Sequence, residues 1–491
     1  MTAFRRLAVH IANYSLGSVL AIVASFISFP LLTRLLSVDD YGIMSLIASI
    51  LTFVVSIGKL GLQHSTFRFY SDARSGRSSM NMASLLSTSI YGMLGVGSAA
   101  TIVFFLFTRF APDTWWANDQ IRSVMALASV LVLIRILESA FVNQWRAEER
   151  SGALSIYQVL RKYADIAIII FALYHISKSV WGFYVAMIVS ESAGVAVIAW
   201  LTIRRSPVSM SDFSATLFKA MLAFGIPMLG FELVAVLSVL ADRYVIQHML
   251  STAELGLYSA AYNLSDSLRG AVIASVTAAA VPMYNRLYVD EGSEKTSQFL
   301  NQFLHVYAVG MAFLLCLMAA LGTDFVVFLA SEKYRAAGSI LTLIVAGMAL
   351  DGLTVIVGAG LYLKKRTSVI LALALPAAIL KVLISIFLIQ KIGIAAVAIA
   401  SIVTGVLLIV CLVQFSKSHL AVRLPIVSIV KFTGIAVVAY FAMSALWFDV
   451  VIVRLAVRFL VGSLTFGVLS LLMDSTLRRQ FLARVTAFKS R

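Results

Sequence analysis

Leu35–Ser45 reads LLSVDDYGIMS, and Met249–Ser259 reads MLSTAELGLYS. Leu36/Leu250, Ser37/Ser251, Gly42/Gly256 and Ser45/Ser259 are identical, and Asp40/Glu254 are both acids. In each copy a long apolar run enters, a short acidic turn follows, and a glycine opens the next apolar run. A segment that returns at the same point of two hydropathy patterns points to an internally duplicated membrane protein, built of two halves around a central path.

The rest of the chain agrees. It has 491 residues, 61% hydrophobic and 13% charged, with a mean hydropathy of +0.96. A soluble chain of this length cannot hide so much apolar surface, whereas a bilayer requires it. Hydrocarbon about 30 Å thick takes roughly 20 apolar residues per helix. About fourteen runs of that size follow one another, at 11–33, 42–62, 82–108, 123–143, 153–175, 181–203, 217–249, 256–282, 299–322, 336–363, 368–390, 393–415, 425–447 and 452–473. They are continuous rather than alternating, which argues against a β-barrel. The expected fold is an all-α polytopic membrane protein with two pseudo-symmetric six-helix bundles, 1–203 and 217–415. A cytoplasmic linker at 204–216 joins them, two added helices fall within 425–473, and a basic cytoplasmic tail occupies 474–491.

Several function classes are disfavoured. The longest polar segment, Gln63–Asn81, is far short of a domain. Cys316 and Cys411 lie in apolar runs and read as core residues. The six His are scattered without ligand spacing, so neither metal nor other cofactor is expected. Met1–Arg6 leads directly into an apolar run, so no cleavable signal peptide is expected. The net charge of +16 could suggest nucleic acid, but its placement argues for a membrane instead. Arg68, Arg74 and Arg77 share one loop, Arg204 and Arg205 another, and Lys364–Arg366 a third. Arg478, Arg479, Arg484, Lys489 and Arg491 are in the tail. With the N-terminus in the cytoplasm these all fall inside, as the positive-inside bias demands, and both termini are cytoplasmic. The simplest role for these charges is a solvated rim facing anionic lipid.

The repeated segments also carry a family likeness. FPLLTRLLSVDDYGIMSL (29–46) resembles the first-to-second-helix region of polysaccharide exporters of the Wzx type, within the multidrug/oligosaccharidyl-lipid/polysaccharide superfamily. FGIPMLGFELVAVLSVLADRYVIQHMLSTAELGLYSAAYNL (224–264) resembles the seventh-to-eighth-helix region of that family, and IGIAAVAIAS (392–401) its entry into the twelfth helix. The resemblance implies an inner-membrane flippase for an undecaprenyl-diphosphate-linked oligosaccharide, an O-antigen, capsule or exopolysaccharide unit. Its partners would be that glycan and membrane lipids, with a polysaccharide polymerase and chain-length or export proteins as further candidates, and no nucleic acid. The superfamily commonly couples movement to an ion gradient.

Charges inside the spans bear on this independently, because each costs roughly 2.5–3.5 kcal/mol on insertion scales unless it meets a partner or a wet cavity. Arg161, Lys162, Arg243, Arg269 and Lys381 are the candidate cavity cations that would hold a diphosphate, Arg by its bidentate fork and Lys as a flexible point charge. Glu191, Glu232 and Asp351 lack a basic residue within four positions and are the candidate coupling acids. The structural alternative is in-helix pairing, for which Arg161/Asp165, Asp266/Arg269 and Arg135/Glu138 have the spacing. Pro30, Pro227 and Pro376 could mark bends or static kinks, and Gly92, Gly95, Gly97, Gly347, Gly352, Gly358 and Gly360 close helix contacts. Trp115, Trp116, Trp181 and Trp447 read as interface anchors. Tyr157 and Tyr262 could stack on sugars, with core packing the favoured role.

Two other functions compete. A multidrug or organic-cation antiporter of the same superfamily would be expected to place uncompensated acids in its cavity. A membrane-embedded glycan-processing enzyme needs a catalytic loop or a nucleophile–base constellation, and neither is visible, so no catalytic residue is assigned. Cysteine labelling tests the topology: sites placed after Arg366 and at Arg491 should react only with reagents that reach the cytoplasm, and reaction with a membrane-impermeant external reagent would overturn it.

Overall fold

The computed structural model describes residues 3–74, 81–116, 119–206 and 208–479, so Arg77, Arg484, Lys489 and Arg491 lie outside the described residues. Among the described residues the chain is helical, without a strand. The helices are α1 (Ala3–Leu35), α2 (Val38–Gly58), α3 (Leu62–Arg74), α4 (Met82–Phe110), α5 (Asp119–Ala128), α6 (Val130–Ala147), α7 (Ser151–His175), α8 (Val180–Ile203) and α9 (Ala215–Met249). They continue as α10 (Thr252–Leu268), α11 (Ala274–Asp290), α12 (Gly292–Leu329), α13 (Ala337–Val357), α14 (Ala359–Leu363), α15 (Thr367–Ile392), α16 (Ala395–Ser416), α17 (Ile426–Ser444) and α18 (Val451–Met473).

Among the described residues eleven spans are long and apolar enough to cross a membrane, α5 and α6 together forming one of them. The two arms of α9, Ala215–Gly230 and Glu232–Met249, meet at a 46° bend and make a twelfth if they are one span. The remaining two apolar runs of the sequence are helical as well. One is α7, whose Arg161, Lys162 and Asp165 interrupt its apolar character. The other is α10 and α11, joined through a π-helical turn at Arg269–Ile273. The protein is thus an integral membrane protein. Pro227 lies one turn before the α9 bend, whereas α1 and α15 run unbroken through Pro30 and Pro376.

The chain divides into two compact units, Met1–Ser259 and Ala260–Arg491. The division falls within α10, and α9 packs along α2, α3 and α4 in the first unit.

In the first unit the repeat has a clear local role. Ser37 caps α2 by accepting the Asp40 backbone N–H at 3.0 Å, and Ser251 accepts that of Glu254 at 3.2 Å at the start of α10. The shared serine and acid three residues apart are therefore two helix-start boxes that satisfy otherwise orphaned donors. The shared glycines serve packing. A Cβ on Gly42 would stand 2.8 Å from the Gly256 backbone nitrogen, and one on Gly256 would meet Val38 Cγ1 at 2.8 Å and the Val38 carbonyl. The two helix starts thus abut backbone to backbone. Thr252 donates to Asp39 across the same contact. A second close approach joins Gly61, at φ +73°, to Gly225 of α9. Elsewhere Gly92 makes room for Phe218 and Gly97 for Ile136, whereas a Cβ on Gly95 would meet nothing. Deeper in, Trp145 donates to Thr202 at 2.8 Å within a core of Ile90, Phe141, Leu154, Tyr157 and Ile198. Tyr157 is therefore a core residue. The polar stretch from Gln63 forms α3, which packs on α4, α6 and α9.

In the second unit α12 carries the added pair α17 and α18, fastened near both ends by charge. Near one end, Asp324 accepts from Arg454 at 2.9 and 2.7 Å and from Arg458 at 3.2 Å, with Trp447 over the Arg454 guanidinium at 4.3 Å. Near the other, Asp474 meets Lys431 and lies 3.5 Å from His305. Burial alone would raise the Asp474 carboxyl. The Lys431 ammonium, the Leu477 backbone N–H and His305 outweigh it and hold the group below the usual carboxylate range. The clamp is thus ionised from neutrality downward and weakens only as pH falls through that lowered value.

The glycine contact yields a paired prediction. Gly256→Val should cost about 3 kcal/mol or more by overpacking against backbone, whereas Gly95→Ala should be neutral or gain up to about 1 kcal/mol of helix propensity. Thermal unfolding of the purified variants measures both, and equal midpoints would show that the contact is not tight.

Candidate functional site

The charges of α7 do not face lipid alone. Arg161, Lys162 and Asp165 lie on one face of the helix with Gln158, since residues three and four apart are neighbours. With Arg135, Glu138 and Ser139 of α6, Glu191 of α8 and the small residues Gly17, Ser18, Ala21 and Ser25 of α1 they line a cavity of about 610 Å³ in the first unit. The small residues allow the close packing of α1 on α7: a Cβ on Gly17 would stand 3.1 Å from Ser155 Cβ.

Most of these charges are paired. Arg135 forks onto Glu191, Nε to Oε2 and Nη2 to Oε1, both at 3.0 Å. Arg161 pairs with Asp165 and lies 3.6 Å from Glu138. Glu138 also accepts from the Tyr157 hydroxyl at 2.8 Å, and Asp165 from Ser190. Three cations face three acids, so the cavity is formally neutral. The Arg161 side chain is only 9% exposed, its Nη1 against the Asp165 carboxylate and its Nε 3.6 Å from Glu138 Oε1. Gly194 gives this guanidinium its space, because a Cβ there would stand 3.1 Å from Arg161 Cζ. Lys162, a lining residue, makes no hydrogen bond or ion pair among the described residues.

The other candidate residues separate. Arg243 is 5% exposed and donates to Ser45 of α2 at 2.8 Å, so it fastens α9 to the repeat and does not line this cavity. Arg269 opens the π-helical turn of the second unit, half-exposed and bound to Asp266 at 2.9 and 2.6 Å, with Asp351 close enough to act on it electrostatically. Lys381 lies midway along α15, partly buried. Of the proposed in-helix pairs, Arg161–Asp165 and Asp266–Arg269 form, while Arg135 takes Glu191 in place of Glu138. Glu191 is therefore tied up by a cation from another helix, which spacing along its own helix could not reveal.

Glu232 is the first residue beyond the α9 bend. It accepts from Ser56 of α2 at 2.9 Å and Gln63 of α3 at 3.0 Å, with His64 Nε2 at 3.8 Å and Lys59 within electrostatic reach. Sequence reading missed Lys59, Gln63 and His64 here, and likewise Asp324, Arg454 and Arg458. The last two are four apart on one face of an apolar run, a legible signal; the gathering at Glu232 had none.

Comparison with known proteins gives a family and a fold. The family profile described as polysaccharide biosynthesis protein matches residues 9–288. No curated protein matches. Among solved structures, the chain resembles a lipid II flippase MurJ in an inward closed conformation, at 14% identity and a TM-score of 0.77, over 96% of this chain and 99% of that one. It also resembles an inward-facing multidrug resistance MATE family transporter of the MOP superfamily, at 16% identity and TM-score 0.68, over 83% of this chain and 97% of that one. The MATE multidrug transporter DinF-BH, solved with R6G, aligns at 14% identity and TM-score 0.62, over 85% and 96%. At such identities these likenesses speak for the fold alone. With more than half its length matched by the profile, the chain belongs to the polysaccharide biosynthesis protein family.

Proposed function

We propose that the protein is a flippase that carries an undecaprenyl-diphosphate-linked oligosaccharide across the bacterial inner membrane by alternating access. One observation carries the reading: Lys162, which makes no hydrogen bond or ion pair among the described residues, shares a cavity with the buried guanidinium of Arg161. A diphosphate crossing the bilayer sheds water and needs charge and N–H donors in exchange, and these two groups supply them. The balance of three acids and three cations lets the empty cavity persist without a large uncompensated charge. Membership of a polysaccharide biosynthesis family supports a glycan cargo, and a fold shared with a lipid II flippase supports a lipid carrier. An organic-cation exporter would want a spare carboxylate here, yet each acid in the cavity has a cationic partner.

In this reading Arg161 and Lys162 are the primary phosphate ligands, and Arg269 and Lys381 are candidates for later contacts in the second unit. Glu232 is the favoured coupling acid, because it joins the α9 bend to α2 and α3, where a change of protonation would alter a joint; Asp351 is a further candidate. The repeat copies support corresponding halves, 1–203 and 217–415, related by internal duplication.

Three outcomes are expected. Lys162→Ala should cut surface-glycan export at least tenfold at unchanged protein abundance, and Lys162→Arg should restore part of it; full export by the alanine variant would sink the phosphate role. The exchange Asp266→Arg with Arg269→Asp should abolish export, and full activity would make that pair structural. Arg135→Met should destabilise by about 3–5 kcal/mol by stranding Glu191, and adding Glu191→Leu should recover most of the loss in a thermal unfolding assay.

A further inference from the structure

A second cavity in the first unit, about 640 Å³, lies among α2, α4, α5 and α9, with Trp115 and Trp116 of the loop after α4 in its wall. Apart from Gln247 and His248 its lining is apolar or aromatic, including Phe53, Phe104, Met125 and Leu237. Several wall residues also belong to the exposed apolar surface, among them Val103, Leu237 and Tyr244. The cavity is therefore continuous with a surface that, in an integral membrane protein, meets hydrocarbon. On α9 the lining runs from Leu237 to His248. At 1.5 Å per residue that is roughly 15 Å, about half of a 30 Å hydrocarbon layer, or one leaflet. Two polar atoms of its wall residues are buried without a hydrogen bond, Trp116 Nε1 and Gln247 Oε1. Both belong to the same end of the cavity, where α4 and α9 finish. The oxygen and nitrogen of a glutamine amide exchange by a simple flip, so this end can present two N–H donors.

We infer that this cavity is a binding site for one ester-linked acyl chain of a bilayer phospholipid. The tail lies along α2 and α9, and its ester carbonyl accepts from Trp116 Nε1 and the Gln247 amide. The length fits a chain that ends at the bilayer midplane, and the donors fit a carbonyl at its outer end. A polyprenyl chain offers no carbonyl at that depth and extends past one leaflet. A lipid seated here acts as a wedge between α9 and the α2–α4 pair.

Native mass spectrometry of the protein, extracted in mild detergent and titrated with phosphatidylethanolamine, tests this. The expected result is one tightly held phospholipid per chain. Ala241→Phe and Ile50→Trp, which fill the cavity from two walls, should each abolish that retention. Trp116→Phe with Gln247→Leu keeps the space but removes the donors, and should weaken retention about five- to tenfold or more. Absence of a retained phospholipid on the unaltered protein overturns the inference, as does retention unchanged in a filled variant that unfolds at the wild-type temperature. Retention of an isoprenoid lipid in place of the phospholipid also overturns it.

Discussion

The starts of α2 and α10 lie closer than any pair of side chains would permit, and much of the first unit is arranged around that fact. Gly42 and Gly256 remove the side chains, Ser37 and Ser251 cap the exposed helix ends, and Thr252 bonds Asp39 across the gap. Once the helix ends are so placed, α9 must run beside α2. Arg243 can then reach Ser45, and Glu232 can reach Ser56 and Gln63. A duplicated sequence element has become a contact between its own copies, so its glycines and caps are constrained twice, by local helix geometry and by each other.

Charge within the spans is the other organising constraint. A lone ion in hydrocarbon is costly, and the protein meets that cost mainly by pairing across helices: Arg135 with Glu191, Arg161 with Glu138, and Arg454 and Arg458 with Asp324. Such pairs add little net stability compared with apolar packing, but removing one partner is severe, so they fix which helices may be neighbours. Against that background Lys162 stands out, because it lines the same cavity without a countercharge of its own.

Where the sequence was informative, it was so for physical reasons. Spans follow from local composition, and the repeat is short-range, so both can be read along the chain. The i,i+4 pair Arg161–Asp165 was readable for the same cause. Glu191 and Arg135 are 56 positions apart, and Glu232 and Ser56 are 176 apart; no periodicity links them, and only packing brings them together. The charged helix α7 shows the limit from the other side: Arg161, Lys162 and Asp165 are visible as charges in an apolar run, but not which of them is neutralised. Arg243 looked equivalent to Arg161 in sequence, yet its neighbours make it a fastener.

The clamp on α12 bears on how the chain is made. Asp324 receives its two guanidiniums from α18, and Arg454 comes 130 residues later. At about 5–20 residues per second, synthesis takes roughly 7–26 s to deliver it. Until then Asp324, at the end of α12, lacks both guanidiniums of α18, while α13 to α16 are already emerging. The final pair of helices is therefore what completes α12, and a chain stopped after α16 would leave that helix chemically unfinished, an exposed signal by which quality control could recognise it.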